Sequence, residues 1–230
     1  MALFSLCKRG NVFRNAIILI LAAGSIAPAG HAFADGTVEG DVELPKPHTA
    51  RLLNHRYRSD VEVPEAPTDP PIAVVYLTGE GVSKAGGGAT QTAVMAQKNA
   101  MFDPELLPVQ VGTAVDFPNL DDMYHNVFSY SKTKRFDLGR YRKSEKAASV
   151  LFDRPGVVVV HCEIHERMLG TILVLDTPYF QKTDATGRYR LEHVPAGRYT
   201  LKAWISDNDV RERAVELSSG ARLHVDLPAK

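Results

Sequence analysis

Apolar and polar residues alternate with a period of two along most of this chain. Residues 36–44 (Gly-Thr-Val-Glu-Gly-Asp-Val-Glu-Leu) read as a half-buried strand, stopped by Pro45 and Pro47. From Pro45 to Pro71 the chain is rich in proline and charge and has neither period, which predicts a long loop or arm. Residues 72–77 form a second apolar run. Gly79 to Gly88 is a glycine-rich linker without the Lys-Ser/Thr ending of a phosphate loop. Short strands then recur at 92–96, around Leu107, Val109 and Val111, at Val115 and Phe117, and at 127–130, 150–152, 157–160 and 172–175. Turns are marked at Phe102-Asp103-Pro104, Gly112-Thr113 and Asp153-Arg154-Pro155-Gly156. Beyond Pro178, alternation resumes about turns at Thr186-Gly187 and Pro195-Ala196-Gly197, with further strands at 202–205 and 223–227. With no long amphipathic helix, the pattern predicts an all-β chain built as sandwiches.

The first 34 residues break the pattern. Lys8, Arg9 and Arg14 form a basic start, residues 16–27 a short apolar core, and His31-Ala32-Phe33-Ala34 places small residues at the −3 and −1 positions of a cleavage site. This reads as a secretory signal cut near Ala34, leaving a periplasmic or secreted protein. A retained anchor is the competing reading, but the apolar run is short of the ~20 residues that span a bilayer, so no stable membrane insertion is expected after cleavage. Cys7 precedes the apolar core and is not placed for lipidation at the cut. At 230 residues, with 27 basic and 27 acidic side chains, the chain has room for one or two small domains and no general pull toward nucleic acid. Cleavage removes three basic and no acidic residues, leaving 24 against 27 and a formal charge of −3. It also leaves Cys162 as the sole cysteine, so no intrachain disulfide is expected.

A lone thiol in an oxidising compartment is a liability unless buried or metal-bound. An inert buried cysteine is the ordinary reading; its neighbours favour a ligand. The valine run 157–160 leads into His161-Cys162-Glu163-Ile164-His165-Glu166-Arg167-Met168, which sets thiol, imidazole and thioether at Cys-x2-His-x2-Met spacing. These ligand types suit a soft, redox-active ion, and thioether has little use in magnesium, calcium or structural zinc sites. A second imidazole is offered 37 residues upstream by His125. The residues therefore point to one copper ion bound by His125, Cys162 and His165, with Met168 as a weak axial ligand. Strand parity puts Val158, Val160 and Cys162 on one face and Val159 and His161 on the other, which makes His161 structural. Asn126 is placed either to bond near the thiolate and tie the two ligand segments together or to satisfy backbone at the strand end.

Residues from about Val94 to Asp176 resemble the cupredoxins, the small blue copper proteins. The resemblance rests on Met-x-His-Asn-Val (residues 123–127), His-Cys-x2-His-x2-Met (161–168), Phe-x-Pro-x-x-Leu (102–107) and the Pro-Gly before the valine strand. It lies nearest the amicyanin and plastocyanin type. It implies an eight-stranded Greek-key sandwich, type 1 copper on His125, Cys162, His165 and Met168, and one-electron transfer. The chain departs from the amicyanin pattern at Ile164, Glu166 and Arg167, where that type has prolines and an apolar patch. Residues 183–201 resemble the carboxypeptidase regulatory-like domain, a smaller, transthyretin-like β-sandwich. Its missing first strands match residues 38–44 and 72–77. The expected organisation is a signal at 1–34, N-terminal strands and a Pro-rich arm at 35–89, a cupredoxin domain inserted at 90–177, and the rest of the regulatory-like sandwich at 178–230. Tandem domains are the alternative.

The expected function is an exported electron carrier, not an enzyme. Its partner would be a redox protein such as a c-type cytochrome or a dehydrogenase. A copper chaperone or buffer is the rival function, with His48 and His55 in the arm as a conceivable second site. A Cys162/His165 nucleophile pair is a weaker reading than metal, and the His-x-His pairs of multicopper enzymes are missing from the sequence. Lys132, Lys134, Arg135, Arg140, Arg142, Lys143 and Lys146 crowd fifteen residues. They read as a solvated hairpin or as a docking face for an acidic partner.

Overall fold

The computed structural model describes residues 35–46, 71–79, 82, 92–145 and 148–229. The signal segment, His48, His55, Lys146 and most of the Pro-rich arm and glycine-rich linker lie outside the described residues. Seventeen strands and no helix are found among the described residues. They are β1 (Gly36–Asp41), β2 (Val74–Thr78), β3 (Thr92–Val94), β4 (Ala96–Lys98), β5 (Met101–Asp103), β6 (Leu106–Gln110), β7 (Thr113–Asp116), β8 (His125–Tyr130) and β9 (Arg135–Tyr141). After these come β10 (Ser149–Phe152), β11 (Gly156–His161), β12 (Leu169–Leu175), β13 (Phe180–Lys182), β14 (Arg188–Val194), β15 (Gly197–Ser206), β16 (Asp209–Leu217) and β17 (Arg222–His224). The all-β class expected from the alternation is the class observed.

Strands β3 to β12 pair among themselves. The larger sheet runs β6-β12-β11-β8-β9, mixed because β6 lies parallel to β12. The smaller sheets are β10-β7-β3 and β4-β5. Between them lies a core of Val115, Phe117, Val127, Phe152, Val158, Val160 and Ile172, with Cys162 and Met168 part of it. The same parity that puts Val158 and Val160 inward carries Cys162 inward at the strand end.

Strands β1 and β2, from before the glycine-rich linker, pair with strands that follow residue 178. β1 lies between β14 and β17, and β2 between β13 and β15. The two sheets β14-β1-β17 and β13-β2-β15-β16 enclose a separate core that includes Val38, Val75, Leu77, Tyr189, Leu191, Leu201 and Leu227. Gly187, in the turn before β14, sits at φ +91°, where a Cβ would overlap the carbonyl of Val42; only glycine allows that approach.

A third apolar cluster joins the two sandwiches. Val74 and Trp204 pack with Leu173 and Leu175, and Tyr76, Leu106, Val157, Phe180 and Val210 lie against them. This explains the unbroken apolar runs of β2 and β12. In each strand one set of alternate residues enters its own core while the other enters the shared cluster, so both faces are buried. Phe102 and Asp103, expected in a turn, lie in β5, paired with β4, and the turn begins only at Pro104. The short β13 escaped the sequence reading, as did two longer strands. β9 was expected as a solvated hairpin, but Phe136 and Leu138 turn inward between exposed charged residues. The nine-residue β16, Asp-Val-Arg-Glu-Arg-Ala-Val-Glu-Leu, carries too few apolar residues to announce itself.

A chain lacking residues 90–177, with its ends joined by a short flexible linker, is expected to keep a β-sheet circular dichroism spectrum. Its single tryptophan, Trp204, should emit further to the red once the shared cluster is uncovered. A coil spectrum would show that the N- and C-terminal strands do not form a sandwich alone.

Candidate metal centre

The site lies where three strands of the larger sheet end together. β8 opens at His125, β11 closes at His161 with Cys162 next, and β12 opens at Leu169. β8 and β11 are antiparallel neighbours, paired His161 to Phe128, so the end of β11 runs alongside the first half of β8. The connection from β11 to β12 is short and self-bonded. The Cys162 N–H donates to the Met168 carbonyl at 3.2 Å, and the Met168 N–H to the His165 carbonyl at 2.9 Å. His165 is therefore held on a tight loop directly over the strand ends. His125 is fully buried, Cys162 and Met168 nearly so, and His165 half-buried.

Three donor atoms converge. The Nδ1 atoms of His125 and His165 stand 3.1 Å apart, and Cys162 Sγ lies 3.8 Å from the first and 3.7 Å from the second. A point equidistant from all three lies about 2.1 Å from each, close to the ~2.0–2.3 Å that imidazole nitrogen and thiolate sulfur keep from a bound zinc-sized ion. His125 Nε2 is 2.9 Å from Asp121 Oδ2. A carboxylate there accepts a hydrogen bond from Nε2–H, the tautomer that leaves the Nδ1 lone pair facing the other two donors. Burial, then the neighbouring His125, hold the His165 imidazole below its usual pKa, so it is neutral at neutral pH. Two imidazole nitrogens 3.1 Å apart need a proton or a cation between them. The donor set and its spacing fit a metal ion.

Asp121 escaped the sequence reading, because four residues' separation within a loop marks no contact. Its carboxylate also accepts the backbone N–H groups of Asn99 at 2.8 Å and Ala100 at 3.0 Å. Burial alone would raise its pKa, but these amides and His125 outweigh it and hold the carboxyl below the usual range. Asn119 fixes the loop in turn. Its Oδ1 accepts from the Asp121 N–H, and its Nδ2 donates to the carbonyls of Met123 and Tyr141, each bond 2.9 Å long.

The other expected residues fall as follows. Met168 is buried in the cluster that holds Cys162, at the close of the ligand loop. Asn126 is buried beside His125, but its Oδ1 has no hydrogen-bond partner among the described residues, so that oxygen does not tie the ligand segments together. His161 points away from Cys162 and stacks on Phe128. The basic run does not form one surface. Lys134 pairs with Asp153 at 3.0 Å, Arg140 with Glu163 at 2.6 Å and Lys143 with Asp122 at 3.8 Å, and the Arg142 guanidinium lies 4.2 Å over the Tyr124 ring. Lys132 and Arg135 are exposed and have no carboxylate partner among the described residues. A second group of metal-type donors, Asp41, His224 and Asp226, is wholly exposed, with His224 already on Asp226 at 3.0 Å.

Asp121→Ala is expected to weaken metal binding by about 10- to 100-fold, the usual effect of removing a carboxylate behind a ligating histidine. Chelator competition on the purified chain measures it; unchanged affinity would mean that the Asp121–His125 bond does not orient the ring. The acid response has a definite sign. A carboxyl held below its unfolded pKa stabilises the fold above that pKa, and the contribution is lost as pH falls through the lowered value. Asp121→Asn should therefore flatten the fall in chemical stability at the acid end.

The described fold is similar over part of its length to solved copper proteins. A Cu-containing nitrite reductase (NirK) from Thermus scotoductus SA-01 is 25% identical over 40% of this chain, with a TM-score of 0.35; the match spans 25% of that enzyme. A purple cupredoxin from Nitrosopumilus maritimus is 22% identical, over 37% of this chain and 99% of its own, at a TM-score of 0.32. A reduced mutant of amicyanin is 24% identical, over 44% of this chain and 98% of its own, at a TM-score of 0.34. No protein-family model matches the chain, and no curated protein does.

Proposed function

We propose that this chain is an exported carrier of single electrons, built on a type 1 copper site made by His125, Cys162 and His165 with Met168 as the weak fourth ligand. The observation that carries the reading is the triangle of one thiol and two imidazole nitrogens, sized for an ion and held at the meeting of three strand ends. Copper, when bound, supplies a one-electron couple whose two oxidation states both accept this donor set. The protein's part is rigidity. His125 is fixed by Asp121, and Cys162 by the end of a buried strand. The loop bearing His165 is closed by its own backbone bonds. Donors so held move little when charge changes, which keeps reorganisation small. The half-buried His165 is the ligand edge nearest solvent and the natural exit to a redox protein such as a c-type cytochrome or a dehydrogenase.

We read the chain as a carrier and not an enzyme, and as periplasmic or secreted on the strength of residues 1–34. A chaperone or buffer must release its ion, whereas His125 is inaccessible and anchored on the far side of its ring. The loss of prolines from the ligand loop argues for a partner different from that of the amicyanin type.

The copper-loaded chain is expected to absorb strongly in the visible, and Cys162→Ser to abolish the band. Bound but colourless Cu(II) would defeat the site as drawn. Voltammetry separates carrier from chaperone. Reversible cycling with copper retained supports the first, and loss of copper on reduction supports the second.

A further inference from the structure

We infer that the processed amino terminus builds a second metal site, for Cu(II), on the other sandwich, from the α-amine and carboxylate of Asp35 and the imidazole of His193. The inference goes beyond the carrier reading and rests only on its export clause, cleavage after Ala34. Strand geometry brings the two residues together. Gly36 pairs with Val194 and Val38 with Leu191, so Glu192 and His193 of β14 together oppose the single residue Thr37 of β1. This is a β-bulge, a device that re-aims a side chain out of the regular pleat. Glu192 and His193 are consequently exposed in succession, between the buried Leu191 and Val194. The backbone of His193 sits at φ +56°, a left-handed conformation that favours glycine. Its side chain is 85% exposed, so packing does not offset that strain. A histidine held at a strained position without packing points to a use for its ring.

Asp35 lies beside that ring. Its Oδ2 is 3.9 Å from His193 Nδ1, and its side chain is 51% exposed. The separation is too long for a hydrogen bond, and an exposed ion pair of that length contributes little. It suits two donors on one ion, since atoms each ~2.1 Å from a metal can stand up to about 4.2 Å apart. The residue is also anchored. Gly36 follows it, paired to Val194 and so near the Ala221 carbonyl that a Cβ would lie 2.7 Å from that oxygen. Cleavage after Ala34 turns the Asp35 nitrogen from an amide into a primary amine. The amine and carboxylate of one aspartate close a chelate ring on an ion by their covalent geometry, and His193 supplies the third donor from the bulge. Two nitrogens and a carboxylate oxygen, with positions left open to solvent, suit the tetragonal preference of Cu(II). Binding releases the ammonium proton, whose ordinary pKa is about 8, and leaves the oxidation state unchanged. The exposed group Asp41, His224 and Asp226 lacks an amine, and its imidazole is already bonded to Asp226 at 3.0 Å.

Intact-mass measurement of the exported chain first fixes its leading residue. A chain that does not begin at Asp35 overturns the site and leaves the blue copper reading standing. Cu(II) is then titrated past one equivalent into the isotopically labelled exported chain. Loss of the backbone amide signals of Gly36, Thr37, His193 and Val194 supports the site. The loss should disappear in His193→Gln and in a chain whose α-amine has been converted to a ketone by transamination. Persistence in either, or broadening only around His224 or elsewhere, overturns it. His193→Gly separates use from structure. It should abolish the same broadening yet raise the thermal midpoint of the metal-free chain, because glycine takes φ +56° without strain. A midpoint that does not rise would make the ring a structural element and overturn the inference. Broadening at Gly36 and His193 in a chain with no visible band defeats the blue copper reading alone.

Discussion

One ladder pair governs the geometry of this molecule. His161 opposite Phe128 sets the register between β8 and β11, and that register runs the end of β11 alongside the first half of β8. A slip by one residue would turn Cys162 to the outer face, away from His125. The register is therefore fixed by the whole inner face of the sheet. Val127, Val158, Val160 and Ile172 enter the core together or not at all. The converging donors are a consequence of hydrophobic packing and need no attraction between themselves, which at 3.1 Å between two nitrogens would not exist without a proton or a cation.

Much of this was legible in the sequence because the two faces of a strand are written in alternate letters. The valine run and the Cys-x2-His-x2-Met spacing point to a strand that ends in metal-type donors, and parity separates Cys162 from His161. What stayed hidden shares one cause: it depends on partners distant in sequence or on loop conformation. Asp121 reaches His125 because Asn119 and the 99–100 turn shape the loop between them, and nothing local encodes that. β9 and β16 hid because strands with one solvated face and many charges look like loops until a neighbour supplies the ladder. Asn126 lies where expected, buried beside His125, with its Oδ1 unpartnered among the described residues.

The cations teach a related lesson. Seven in fifteen residues read as a solvated hairpin or as a docking face, and a hairpin distributes its side chains over two faces and several neighbours. Most of the resolved cations are matched locally by carboxylates or an aromatic ring, and the net field is far smaller than the count implies. Charge density along a strand pair says little until each side chain is assigned a side.

The cluster joining the two sandwiches carries a thermodynamic consequence. β12 belongs to the sheet that carries the candidate metal centre, yet Leu173 and Leu175 on its outer side seal the patch beneath Trp204. Neither half can melt without stripping cover from the other, so the two are coupled in the unfolding transition that heat or denaturant brings about. An ion binding only to the folded form raises the midpoint of that transition by mass action. The gain is shared with a sandwich that contributes no ligand, and a tryptophan remote from the donors reports the metal's presence through stability alone.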